Sequence, residues 1–284
     1  MTEQELQQFR REKWRINDQP VRTLDDARSF IESVGFCQMY PSRPPLLLPT
    51  FIGAWVGSDD RLPNAQQAFA DPRARETTEL MVRLLRDRAA YEANLTDENN
   101  SLLIAASVFP YFYALVGERN PRQSPKAGAR SPYSQLACDA HEAIRRGGPI
   151  SKQHLLTTLG KGISGSALDR ALIELWSKLR ITRVDYSPEE RTSWDLLTRW
   201  APEAVREGIQ ISLPEAISAL TSKYCDGVIA ADQAELEAFF GSFISRSRIR
   251  DAVNALLAAR ELSFVHIGTR TLIQIAAPRV VHRA

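Results

Sequence analysis

Apolar residues along this chain recur first at helical and then at alternating spacing, in an order used twice. The stretch from Leu155 to Val184 reappears without a gap from Leu236 to Val265. Gly160 falls on Gly241, Ile163-Ser164 on Ile244-Ser245, Ser166 on Ser247, Ala171 on Ala252, Leu175 on Leu256 and Ile181 on Leu262. Each copy reads as a short helix, a glycine turn, a serine-capped second helix and a pair of apolar strands. The period is too long for a solenoid, so the pattern predicts tandem domains.

In the first copy, Ser134 to Arg146 is a leading helix ending at Gly147-Gly148-Pro149. Ser151 caps the short helix, Ser164 or Ser166 the next, and 181–186 and 192–197 form the strands. In the second, Leu213 opens the leading helix, Asp232 caps the short one, and Ser245 caps a helix through Arg260. The strands 262–267 and 271–275 flank Gly268-Thr269-Arg270. A helix-turn-helix followed by a β-hairpin is a winged helix, which presents a helix N-terminus to a nucleic-acid groove.

Upstream, Thr23-Leu-Asp-Asp opens a helix through Val34 that Gly35 stops, and Pro41 to Pro49 is extended. The segment 77–95 reads as one long helix and Leu102 to Val116 as a buried helix and its continuation. The stretch 120–132 reads as an exposed basic linker. The predicted fold is mainly α with small β-hairpins (α+β), in three winged-helix parts at 1–132, 133–203 and 204–284.

Composition narrows the class. A chain that is 44% hydrophobic and 25% charged is globular rather than disordered. A net charge of +2 leaves nucleic-acid binding to the local field. Cys37, Cys138 and Cys225 make neither a Cys-x-x-Cys pair nor a zinc spacing with any histidine, so neither metal nor cofactor is expected. The polar start is unlike a signal peptide, and the longest apolar run is too short to span a bilayer. A soluble, cytoplasmic protein without membrane contact is expected. Phosphate-loop, dinucleotide, Gly-x-Ser-x-Gly and His-Glu-x-x-His signatures are absent, and Asp25-Asp26 and Asp59-Asp60 read as a helix start and a loop.

The two copies differ on their exposed faces. In the second, Ser245-Arg-Ser-Arg-Ile-Arg-Asp leaves Arg246, Arg248 and Arg250 free for phosphates or guanine edges. Asn254 lies one turn further on, and Arg270 stands at the wing tip for a flanking phosphate. From Arg246 onward seven arginines face only two acids. The first copy carries Arg170 beside Asp169 and Glu174, and its wing tip Pro188-Glu-Glu-Arg is acidic, which suits a scaffold or a weak backbone contact. Duplex DNA is the expected partner. A protein-interaction scaffold is the alternative from another class.

The N-terminal helix runs into Gly35-Phe36-Cys37-Gln38-Met39-Tyr40. With the multiple winged helices behind it, this segment resembles the AlkZ/YcaQ type of DNA glycosylase. The resemblance implies a clamp of tandem winged helices that excises alkylated or crosslinked bases, with a Gln-x-Gln or Gln-x-Asp catalytic pair. Gln38 matches the first position of that pair, and Tyr40 stands at the second. An amide orients a water and a carboxylate activates it, whereas a phenol with a usual pKa of about 10 does neither well at neutral pH. Two readings follow: a DNA-binding relative without proven catalysis, and an active glycosylase using Gln38 with Tyr40 in support.

Overall fold

The computed structural model describes residues 1–67, 70–97, 100–160, 162–187 and 190–277. Helix α1 (Glu3–Lys13) leads in, held by a capping box between Thr2 and Glu5. Then α2 (Leu24–Val34) starts on a second capping box, Thr23 with Asp26, and turns at Gly35. It is followed by β1 (Phe36–Gln38), α3 (Phe51–Val56), α4 (Pro72–Arg86) and the hairpin β2 (Ala90–Asp97) and β3 (Asn100–Ala105). A linking helix α5 (Phe109–Val116) closes this first unit.

The same order returns as α6 (Gln135–Gly147), β4 (Ile150–Ser151), α7 (Lys152–Leu159), α8 (Gly165–Trp176), β5 (Ile181–Ser187) and β6 (Arg191–Leu196). Helices α9 (Leu197–Trp200) and α10 (Pro202–Gln210) lead to the third unit. That unit contains α11 (Leu213–Val228), β7 (Ala230–Ala231), α12 (Gln233–Phe240), α13 (Arg246–Ala258), β8 (Leu262–Ile267) and β9 (Arg270–Ile275). Each unit carries a three-stranded antiparallel sheet with the second hairpin strand in the middle, in the orders β1-β3-β2, β4-β6-β5 and β7-β9-β8. The chain is therefore α+β, with one order of three helices and a three-stranded sheet run three times.

Residues that coincide in the repeat do the same work. Leu155 and Leu236 are fully buried, as are Leu168 and Ile249 on the second helices and Ile181 and Leu262 at the strand starts. Ser151 accepts from the His154 N–H, and Asp232 from the Glu235 N–H. At the longer helices the copies part. The Ser164 hydroxyl accepts from the Ala167 N–H at 3.1 Å, whereas that of Ser245 makes no cap bond and lies 3.3 Å from Ser247 Oγ.

Two predicted elements are corrected. The helix expected over 77–95 ends at Arg86, and Tyr91 lies on β2. The reversal uses Arg88 in the left-handed region (φ 55°), where no glycine marked the turn. The apolar run Leu102-Leu103-Ile104-Ala105 is the central strand β3, and helix begins only at Phe109. A strand covered on both faces is uniformly apolar, so periodicity could not separate it from buried helix. The 120–132 segment contains neither helix nor strand and is mostly exposed, as expected.

Packing joins the units unequally. Phe36 on β1 stacks on Phe239 of α12 at 5.3 Å and 12°, meets Phe112 edge-on at 5.1 Å, and lies near Tyr224. One hydrophobic core runs through the first and third units. Buried Arg10 fixes α1 to this body by donating to the carbonyls of Val228 and Ala230 at 3.0 and 2.6 Å. The second unit has its own smaller core around Leu168, Leu172, Leu175, Trp176 and Trp194. It meets the first through Leu179 and Tyr186, which reach the larger core, and through polar groups: the Trp176 indole N–H donates to the Glu92 carbonyl at 2.9 Å, and Arg86 pairs with Asp185 at 2.7 Å. Among the described residues, no helix is long and apolar enough to cross a membrane.

Candidate active-site cavity and nucleic-acid interface

Gln38 ends β1, pairs with Leu102 of β3 and bridges in parallel to Thr50. The proline-rich loop must therefore leave the sheet and come back. Its return is held by Gln38 N–H on the Pro49 carbonyl at 3.0 Å. Ser42 Oγ donates to the Pro44 carbonyl at 2.9 Å and accepts from the Leu46 N–H at 3.2 Å. Thr50 then caps α3 by accepting from the Gly53 N–H at 3.0 Å.

Inside this loop lies a cavity of about 140 Å³. Gln38, Ser42, Thr50 and Asp59 give it polar lining; Trp14, Ile16, Leu48 and Leu62 belong to its apolar wall. The Gln38 side chain is 1% exposed. Its Oε1 lies a long 3.4 Å from Ser42 Oγ, whose single proton is shared with the nearer Pro44 carbonyl, and its Nε2 has no hydrogen-bond partner among the described residues. A buried donor left unpaired costs about 1–3 kcal/mol. A fold tolerates such a cost where the group has a use.

Tyr40 goes elsewhere. It is buried, its hydroxyl lies 3.4 Å from Thr78 Oγ1 on α4, and it is not among the residues lining the cavity. Burial raises its phenol above the usual value, and the nearby Glu92 carboxylate adds to the rise. The two positions of the sequence motif thus face different surroundings.

Pattern reading missed Glu92. Treated as part of a helix it would be a solvent-facing acid; on β2 it is 1% exposed, with Arg183 Nη1 3.0 Å from Oε1 and the Ser101 hydroxyl also donating to it. The Arg183 guanidinium lies 5.3 Å from the Trp176 ring and 5.9 Å from that of Trp194. Asp59 was read as a loop acid, and the loop is where it sits; only the fold brings it to Gln38.

Three arginines of the third unit, Arg246, Arg250 and Arg270, are engaged with carboxylates. Ile249, Ala252, Val253 and Leu256 turn α13 inward on its other face. Glu237 on α12 takes Arg250 Nε at 2.9 Å and Arg246 Nε at 3.7 Å. The Arg250 hydrogen bond holds that carboxyl below the usual range. Arg270 opens β9 and reaches back to Asp232 and Glu235 at 2.8 and 2.9 Å, tying the wing to the cap of α12. Arg248 and Asn254 are exposed, and Arg248 has no acidic partner among the described residues. In the second unit Arg170 is exposed while Lys152 pairs with Asp169 at 2.7 Å. Pro188 and Glu189 of its acidic wing tip lie outside the described residues, and Glu190 accepts a hydrogen bond from the Ser151 hydroxyl at 2.6 Å.

No protein-family model matches the sequence, and no curated protein matches it. A solved structure does match the fold: the Streptomyces sahachiroi DNA glycosylase AlkZ, with a TM-score of 0.61 at 11% identity. The match covers 97% of this chain and 70% of that one. The chain has an AlkZ-like fold.

Proposed function

We propose that this chain binds duplex DNA in a repair role, with the third unit supplying basic contacts through Arg246, Arg248, Arg250, Asn254 and Arg270. The observation that carries the reading is the AlkZ-like fold over 97% of the chain, since the protein sharing it is a DNA glycosylase. Arg246 and Arg250 lie four residues apart on one face of α13, where both can exchange Glu237 for phosphate oxygens. The cytoplasm is the proposed compartment.

A second reading, hydrolytic removal of alkylated bases, is favoured by one observation. The Gln38 amide is buried on the wall of a cavity and its Nε2 has no partner among the described residues, so it can orient a water there.

Titrating labelled duplex at several salt concentrations tests the first reading. Affinity should fall linearly on logarithmic axes, and the Arg246→Ala/Arg248→Ala/Arg250→Ala variant should bind more weakly with a slope reduced by roughly 1 to 3. Binding that ignores salt, or is untouched by the triple change, sinks the proposal.

A further inference from the structure

We infer that the cavity beside Gln38 seats the water that attacks the sugar, and that Asp59 is its base. The inference rests on the base-excision reading above and supplies the carboxylate that Tyr40 does not.

Size comes first. Pockets for drug-sized ligands run from about 300 to 1,000 Å³, whereas a water takes about 30 Å³ of liquid volume. A cavity of about 140 Å³ suits a few waters rather than a nucleotide. The flipped base would lie outside it.

Polarity comes next. The lining offers an amide donor with no partner, Gln38 Nε2, together with the hydroxyls of Ser42 and Thr50. Among the described residues, Asp59 is the carboxylate on that lining, and it forms no ion pair. Its neighbour Asp60 faces Arg61 instead, at 3.8 Å.

The loop bearing Asp59 is fixed on both sides. Gly57 closes α3 at φ +80°, and a Cβ there would meet the Asn17 carbonyl oxygen at 3.1 Å. The N–H groups of Gly57 and Ser58 both bond to the Gly53 carbonyl, and the Asp60 N–H bonds to Ser58 Oγ at 3.1 Å. Asp59 itself is exposed, so its carboxylate stands where a sugar can approach while Gln38 lies in the buried wall. Glu92, the buried acid nearby, is committed to Arg183 and Ser101 and lies off the cavity.

The step balances as follows. The bond between C1′ and the base nitrogen breaks, and its electron pair leaves with the base; a base carrying a positive charge from N-alkylation departs neutral. The water oxygen bonds to C1′ while Gln38 Nε2 donates a hydrogen bond to it. The water proton passes to Asp59, and from there to solvent.

The test compares wild type with Asp59→Asn and Asp60→Asn, both exposed and near-isosteric changes. One probe is a duplex bearing a single N7-methylguanine under single-turnover conditions. The other is a duplex bearing a cationic pyrrolidine abasic analogue, which mimics the charge that develops on the sugar. Asp59→Asn should slow base release by roughly 100-fold or more. Its affinity for undamaged duplex should stay unchanged, and Asp60→Asn should match wild type. Wild type should prefer the pyrrolidine duplex by roughly tenfold or more, a preference that Asp59→Asn loses. Wild-type release with an unimpaired Asp59→Asn overturns the assignment and leaves base excision standing. Bound duplex with neither release nor pyrrolidine preference in wild type removes base excision, and Asp59 with it.

Discussion

Replacing Arg183 by methionine should cost this protein more than any exposed arginine would. The guanidinium is the cationic partner of Glu92, 3.0 Å away, and the carboxylate is 1% exposed. Truncation leaves the Ser101 hydroxyl as its remaining side-chain partner. Breaking one side of a buried pair costs about 3–5 kcal/mol, because the charge left behind is neither solvated nor matched. Arg183 is itself about one-quarter exposed and methionine retains packing between Trp176 and Trp194, so about 3 kcal/mol is expected. For a chain of this size that lowers Tm by roughly 6–12 °C.

Among the described residues Glu92 Oε2 and Arg183 Nε both lack hydrogen-bond partners, so the intact pair is imperfectly satisfied and its net worth over a neutral substitute is small. The Glu92→Gln/Arg183→Met double variant should therefore recover part of the loss, with a coupling of about 1–3 kcal/mol. Urea unfolding followed by circular dichroism measures all three variants. An Arg183→Met protein within about 0.5 kcal/mol of wild type, the range of ordinary surface changes, would refute the reasoning.

Two further outcomes follow from the packing. His141 is buried in α6 with Nδ1 unpaired; desolvation, aided by the charge of Arg180, lowers its pKa to about 4. The unfolded chain takes up that proton near pH 6.5, so stability is full above that pH and is lost as pH falls toward 4, by on the order of 3 kcal/mol. Urea midpoints across this window should fall for wild type and flatten in His141→Phe; parallel profiles would show that the histidine is not the group responsible. At Gly208 on α10, an added Cβ would lie 2.7 Å from the Pro110 carbonyl oxygen and 2.9 Å from Tyr113 Cβ. Gly208→Ala should destabilise by about 1–3 kcal/mol, outweighing the gain of about 1 kcal/mol in helix propensity; a raised urea midpoint would mean that α5 and α10 part without cost.

Local periodicity carried the second and third units into view because their signals are local. Caps at Ser151, Ser164 and Asp232, apolar positions every third or fourth residue, and two short hairpins are each settled within a few residues. The first unit was harder to read. Its hairpin begins at a left-handed Arg88 rather than a glycine, and its central strand is uniformly apolar. Gln38 stood out through a motif, but the groups around it, Ser42, Thr50 and Asp59, come from a loop, a cap and a turn. No spacing rule joins them. Glu237 escaped notice for the same reason: it restrains Arg246 and Arg250 across two helices, and a face read one helix at a time shows arginines without their counter-charge.

The duplicated register also explains why two units of the same topology attach to the first by different forces. Phe239, Phe240 and Phe243 form the aromatic cluster that meets Phe36 and Phe112. The matching residues of the second unit are Thr158, Leu159 and Gly162, none of them aromatic, and Leu159 packs on that unit's own core. Burying aromatic rings brings 150–250 Å² each out of water, so the third unit joins the first over a broad aromatic contact, whereas the second reaches that core through Leu179 and Tyr186 and keeps most of its apolar residues in a core of its own. The relation inverts on the hairpin. Arg183, which holds the second unit to Glu92, falls on Phe264, which is 57% exposed in the third. An ion pair is strong only in its own geometry and an aromatic cluster is adhesive over area. The second unit is therefore the one whose seating a single substitution should loosen.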